Sequence, residues 1–359
     1  MENFIVSARK YRPTTFEDVV GQKAITDTLD HAIASNHLAQ ALLFTGPRGV
    51  GKTTCARILA RKINEQSNKD IESDFAFNIF ELDAASNNSV DDIRNLTDQV
   101  RIPPQTGSYK VYIIDEVHML SQQAFNAFLK TLEEPPEHAI FILATTEKHK
   151  IIPTILSRCQ IYDFKRIGVE DVKNQLAMIA EKEGINAEDD ALHLIAQKSD
   201  GAMRDGLSMF DRVVSFSGNK VTISDVSENL NILDYDFYFR TTDLILESNI
   251  PGALNLLNEI VNKGFDLHNF ISGLSSHFRD LLVSKDPSTV ELLDVGKNTK
   301  ERYLEQSQKC SIELIFKALE IANDCDINFK NSKNQRLLLE ITLMQLASIN
   351  SESGVKKKI

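Results

Sequence analysis

Eight consecutive residues, Gly46-Pro47-Arg48-Gly49-Val50-Gly51-Lys52-Thr53, have the types and spacing that hold a chain of phosphates. The glycines let the backbone turn tightly and aim its N–H groups inward at anionic oxygens. An apolar run, Ala41 to Phe44, comes just before, and helix formers from Cys55 to Ile63 follow. Strand, glycine-rich loop and helix is the context in which this spelling has meaning. The helix starting near Lys52 adds the positive end of its dipole. Lys52 is placed to reach the β- and γ-phosphates and Thr53 to ligate Mg²⁺, with Thr54 beside them. A second stretch supplies acid. Val111-Tyr112-Ile113-Ile114 reads as a strand that ends in Asp115-Glu116. Asp115 can hold Mg²⁺, usually through water, and Glu116 can orient and activate an attacking water. Read alone, the two acids are a solvated strand end. Beside the phosphate loop they point to hydrolysis of ATP with Mg²⁺.

These residues need a scaffold, and the apolar pattern supplies one. Strands are expected at 41–44, 78–82, 111–114, 139–145 and 160–164. Between them lie helices at 23–35, after the loop, from Ser89 to the Pro103-Pro104 stop, at 121–134 and at 153–157. The run Ala139–Thr145 is almost wholly apolar, as a strand covered on both faces should be. Alternating strands and helices argue an α/β fold with a doubly wound parallel sheet. From Val169 the pattern is helical with no convincing strand, punctuated by Gly184, Gly201 and Gly218. We expect an ATPase core over 1–166, a small helical lid over 167–233, an all-α domain over 234–350 and a frayed basic tail over 351–359. In the third region Ile312, Ile315, Leu319 and Ala322, then Leu337, Leu338, Ile341, Met344 and Leu346, form apolar stripes. Such stripes build a self-contained bundle or an interface between subunits, and we expect part of the helix at 332–349 to be interface.

Composition sets limits. A formal net charge of −11 over 359 residues argues against a lone high-affinity DNA binder, though not against DNA held by a few local basic groups in an assembly. No apolar run reaches membrane-spanning length, and the Phe4-Ile5-Val6 segment is too short for a signal peptide. A cytoplasmic protein with no membrane contact is expected. The cysteines Cys55, Cys159, Cys310 and Cys325 form no C-x-x-C pair, so they give neither a metal site nor a disulfide framework.

Several longer stretches carry a family resemblance. They are Tyr11-Arg12-Pro13 with Phe16 and Val19-Val20-Gly21-Gln22, the phosphate loop, Glu81 to Ser86, Asp115 to Leu120, Phe125-Asn126-Ala127, Leu129 to Pro136, and Ser157-Arg158-Cys159. With them the chain resembles the γ/τ family of bacterial DNA polymerase III, the ATPase subunits of the sliding-clamp loader. The resemblance implies an AAA+ module, a lid and a helical collar. It also implies a ring-like oligomer with itself and other clamp-loader subunits that opens the sliding clamp and sets it on primer–template DNA. It makes Arg158 an arginine finger for the neighbouring subunit's ATP and Arg204 a lid arginine that senses the γ-phosphate. The family's strand-end sensor falls on Thr145 or Thr146, with Thr146 favoured. Tyr11, Arg12, Val19 and Val20 match adenine-side contacts. His118, which completes a D-E-x-H spelling, reads as packing or surface rather than catalysis.

Two departures matter. The family usually carries a four-cysteine zinc module after the phosphate-loop helix. Ile63 to Phe77 here has no cysteine or histidine, so there are no zinc ligands and zinc is expected to be absent. Longer members continue into helicase- and polymerase-binding segments, so those contacts are in doubt, and no polymerase site of its own is visible. Two other functions compete: an AAA+ nucleic-acid machine of the branch-migration helicase type, and a structural subunit that binds ATP without turnover. Intact Lys52, Asp115 and Glu116 argue against the second.

Overall fold

The computed structural model describes residues 5–67, 78–105, 107–230, 233–293 and 295–355. They form two compact units, one up to Ile179 together with Lys198–Asp211, the other Ala180–Gln197 together with the chain from Arg212 onward. The segment 167–233 contributes to both.

The first unit is built on a parallel sheet of β1 (Ala41–Thr45), β2 (Ile79–Asp83), β3 (Lys110–Asp115), β4 (Ala139–Thr145) and β5 (Gln160–Asp163), in the order β2-β3-β4-β1-β5. Side chains alternate between its faces, as a pleated strand requires. Leu42, Phe44, Val111, Ile113, Ile140 and Ile142 bury themselves on one face. Leu43, Tyr112, Ile114, Phe141 and Leu143 bury themselves on the other. Seven successive residues of β4 are buried, which explains its unbroken apolar run.

Helices α1 (Ser7–Lys10), α2 (Lys23–Ala34), α3 (Lys52–Ser67), α4 (Val90–Val100), α5 (Gln122–Glu133) and α6 (Pro153–Leu156) complete the layers. Ser89 caps α4 as expected: its hydroxyl accepts the Asp92 N–H at 3.1 Å while the Asp92 carboxylate accepts the Ser89 N–H at 3.2 Å. The Ser121 hydroxyl caps α5 by accepting the Ala124 N–H, and Pro135-Pro136 lie just past its end.

Next come α7 (Val169–Glu183), α8 (Asp189–Lys198), α9 (Met203–Ser217) and α10 (Ile223–Leu230). The expectation of no strand beyond Val169 needs correcting. Asn186–Ala187 (β6) and Lys220–Val221 (β7) pair in parallel. Two residues are too few for alternation to register in sequence.

In the second unit α11 (Tyr235–Leu246), α12 (Ile250–Asn262), α13 (Leu267–Val283), α14 (Lys297–Lys309), α15 (Ile312–Phe329) and α16 (Gln335–Val355) share one apolar core. Phe270, Phe278, Ile315, Leu339 and Leu346 lie in it. Helix α16 runs past the 332–349 read from the sequence. Residues 356–359 of the tail lie outside the described residues. Among the described residues no helix is long and apolar enough to cross a membrane.

Candidate functional site

Strand register assembles the site. Thr45 pairs with Thr145, Ile114 with Leu143 and Asp83 with Asp115. The residues that follow each strand, Gly46, Glu116 and Thr146, therefore leave the sheet at its carboxyl edge, where open α/β sheets bind ligands.

The loop after β1 has the backbone its glycines allow. Gly46 has φ +140°, and a Cβ there would lie 2.3 Å from the Phe164 carbonyl oxygen, so only glycine fits. The Lys52 ammonium is buried and donates to the carbonyls of Gly46 and Pro47, both at 2.7 Å. Burial lowers its pKa, while Glu116 and Asp115 pull the other way. The Thr53 hydroxyl donates to the Asp115 carboxylate at 2.7 Å. Two converging oxygens of this kind could serve as ligands, direct or through water, for Mg²⁺ carried by a nucleotide.

A cleft of about 520 Å³ opens over the loop. Tyr11, Arg12, Val19, Val20, Arg48 to Thr54, Asp115, Glu116 and Arg204 all line it. The sequence reading had named every one of them. It had missed Arg9, Arg57 and Glu81, which line the same cleft. Arg57 grips Glu81 of β2 through two bonds, at 2.6 and 2.7 Å. Arg12 donates to the Thr54 hydroxyl at 3.2 Å. Its pKa is lowered by burial first and then by the charge of Arg57.

Glu116 is a non-glycine residue in the left-handed region, with φ +48° and ψ +44°. Such a backbone costs on the order of 1 kcal/mol and is typical of functional sites. Its carboxylate accepts the Thr146 hydroxyl at 3.0 Å and the Thr146 N–H at 3.3 Å. Thr145, fully buried, turns instead to His118, at 3.0 Å. Of the two threonines left open in the sequence, Thr146 is the one that faces Glu116. His118 needs a partial correction: its side chain is buried, not on the surface, and its ring contacts Glu116.

Arg204 opens α9, and its N–H reaches the Gly49 carbonyl at 3.4 Å. Arg158 is not in the cleft. Its guanidinium donates to Glu133 at 2.5 Å and to the Thr154 carbonyl at 2.7 Å.

Among the described residues no group of His, Cys, Asp and Glu is arranged to hold a metal ion on its own. Residues 68–77, most of the stretch where zinc ligands are missing from the sequence, lie outside the described residues. The four cysteines are free thiols, and burial pushes Cys55 up to about 12. Such a thiol stays protonated and inert at neutral pH.

Comparison with known proteins adds three family models. They are DNA polymerase III, delta subunit, over residues 21–168; DNA polymerase III clamp loader subunit, ATPase lid domain, over 171–219; and DNA polymerase III subunits gamma and tau domain III, over 221–358. Solved structures of RuvB from Thermotoga maritima share the fold, with a TM-score of 0.50 at 22% identity over 66% of this chain and 80% of that one. DNA polymerase III subunit tau of Bacillus subtilis is 39% identical over 96% of this chain. The chain spans 64% of that relative's length, and 43% of the Escherichia coli tau subunit, to which it is 41% identical. DNA polymerase III subunit gamma of Buchnera aphidicola (Schizaphis graminum) is 34% identical, with 96% of this chain and 98% of that one covered. With the sheet region, the lid and the helical third region all matched, the chain belongs to the DNA polymerase III gamma/tau family of clamp-loader subunits.

Proposed function

We propose that this chain is an ATP-hydrolysing motor subunit of the DNA polymerase III clamp loader, acting in the cytoplasm. In a ring with other loader subunits it sets the sliding clamp on primer–template DNA. One observation carries the reading: Lys52, Thr53, Asp115 and Glu116 converge on one cleft at the carboxyl edge of the sheet. Lys52 exchanges its two loop carbonyls for the β- and γ-phosphates. Thr53 and Asp115 would hold the Mg²⁺ that arrives with ATP, which would supply charge to offset that on the phosphoryl oxygens. Glu116 takes the proton of the attacking water. Thr146, bonded to Glu116, senses the γ-phosphate, and Arg204 does so from the lid. Arg158 serves the neighbour's site, which fits its absence from its own cleft. Residues 1–166 act as the motor, 167–233 as the lid and 234–350 as the collar.

The exposed apolar residues support a collar that joins subunits. On α15 and α16, Phe316, Ile327, Leu337 and Ile341 are 58, 64, 48 and 44% exposed, while Leu339, Leu343 and Leu346 fill the core of their own bundle.

The test is ATP hydrolysis by the reconstituted assembly, with and without primed DNA. Lys52→Ala is expected to abolish turnover and weaken nucleotide binding. Glu116→Gln is expected to keep ATP bound and block turnover. Normal steady-state turnover with Lys52→Ala refutes the reading. Normal turnover with Glu116→Gln moves the base elsewhere.

A further inference from the structure

We propose that His118 is a positioning residue for Glu116, holding the base in its working orientation through a relay anchored on Glu147. The proposal rests on the reading of the cleft as an ATPase site. His118 lies in the single 3-10 turn, Val117–Met119, that follows Glu116. Its side chain is only 6% exposed, yet both ring nitrogens face acid. Nδ1 is 3.0 Å from the Thr145 hydroxyl and 3.4 Å from the Glu116 carboxylate. Nε2 is 3.3 Å from the Glu147 carboxylate.

The proton inventory closes around this ring. Thr145 Oγ1 accepts the Glu147 N–H at 3.0 Å and can give its own proton to Nδ1. The ring's N–H then sits on Nε2 and faces Glu147. Glu147 is itself fixed. Lys150 donates to it at 2.9 Å, and that bond first of all holds its carboxyl below the usual range. The ring therefore has one orientation, set from the side away from the cleft. Its Nδ1 edge bounds the space in which the Glu116 carboxylate can swing, while Thr146 donates twice to the carboxylate oxygen nearest the ring.

A base displaced by about 1 Å loses on the order of 100-fold in rate. His118→Ala in the assembled loader is expected to lower kcat about 10- to 100-fold. The affinity of the chain for a non-hydrolysable ATP analogue should stay within about twofold, because no phosphate ligand is touched. His118→Asn restores a polar atom near Nδ1 and is expected to recover part of kcat. Unchanged kcat in His118→Ala overturns the proposal. So does an equal loss in Ala and Asn accompanied by lost nucleotide affinity, which makes His118 a packing residue. A second measurement does not depend on turnover. In ¹⁵N-histidine spectra of the full chain, the His118 ring signals, identified by their loss in His118→Asn, are expected to move with Glu116→Gln and with Glu147→Gln. Unmoved signals overturn the relay. Moved signals in an assembly whose wild type has no turnover refute the ATPase reading and leave the contact standing.

Discussion

The buried imidazole of His277 ties the stability of the helical region to pH. Helix α13 buries it almost completely, at 1% exposure. Its partners decide its protonation. The Gln306 amide donates to the Phe239 carbonyl at 2.9 Å and to Asp243 at 2.8 Å, which leaves Gln306 Oε1 as an acceptor. His277 Nε2, at 3.1 Å, must therefore carry the proton, and Nδ1 accepts from the Tyr303 hydroxyl at 2.9 Å. A second proton, on Nδ1, would have to displace the one that Tyr303 donates there. Burial, with a smaller contribution from Arg302, pushes the imidazole down to about 3, against the hydrogen bond to Gln306. The unfolded chain takes up this proton near its ordinary value of about 6.5. The stabilisation is thus complete above that value and is lost as pH falls through the window from there to about 3. At about pH 5 the loss relative to about pH 8 is on the order of 2 kcal/mol. Urea unfolding followed by far-UV circular dichroism at both pH values measures it. His277→Gln keeps a donor and does not titrate, so the wild type should lose about 2 kcal/mol more than the variant across this range. An identical pH dependence in the two proteins refutes the argument. Other groups cancel in that comparison, including carboxylates such as Glu259 that Arg240 holds below their usual range.

Three further outcomes are expected. Arg158→Ala should still bind ATP but fail to support hydrolysis at the site it shares with a wild-type neighbour, by about 10³-fold or more; undiminished turnover in mixed assemblies rules the assignment out. Ile341→Glu, on the exposed side of α16, should change folding stability by no more than about 0.5 kcal/mol yet prevent assembly, and light scattering that still reports the wild-type oligomer puts the interface elsewhere. Elemental analysis of the purified chain should give zinc far below stoichiometric, since 63–77 supplies no thiolate or imidazole; one zinc per chain contradicts that reading.

How much was legible beforehand follows from the range of each interaction. Strands β1, β3 and β4 of the large sheet show in sequence because each carries its own apolar run, and α4 and α5 because a serine caps their start. The cleft's phosphate loop is local as well, a single continuous stretch. The Arg57–Glu81 clasp is not local. Its partners are 24 residues apart and meet only through the placing of β2 beside β3. His118 was misjudged in part for a similar reason. Its contacts with Thr145 and Glu147 come from the end of β4 and the turn after it, which no spelling around Asp115-Glu116 encodes. The stripe on α16 was seen but not sorted. A helical repeat tells that one side is apolar, whereas only the packed bundle separates buried Leu339, Leu343 and Leu346 from exposed Leu337, Ile341 and Met344.

The chain carries a net −11, yet six cationic side chains, Arg9, Arg12, Arg48, Lys52, Arg57 and Arg204, line the cleft against four acids, Asp18, Glu81, Asp115 and Glu116. Glu81 pairs with Arg57, which leaves five cations against three acids. What remains is a positive hollow in an acidic molecule, suited to draw in a triphosphate and to repel other polyanions elsewhere on the surface. Lys52 and Arg12, both with pKa lowered by burial, hold their charge at a cost that a bound anion would offset. Nucleotide is therefore expected to stabilise this unit strongly. DNA, by contrast, finds no comparable field in the net charge of one chain.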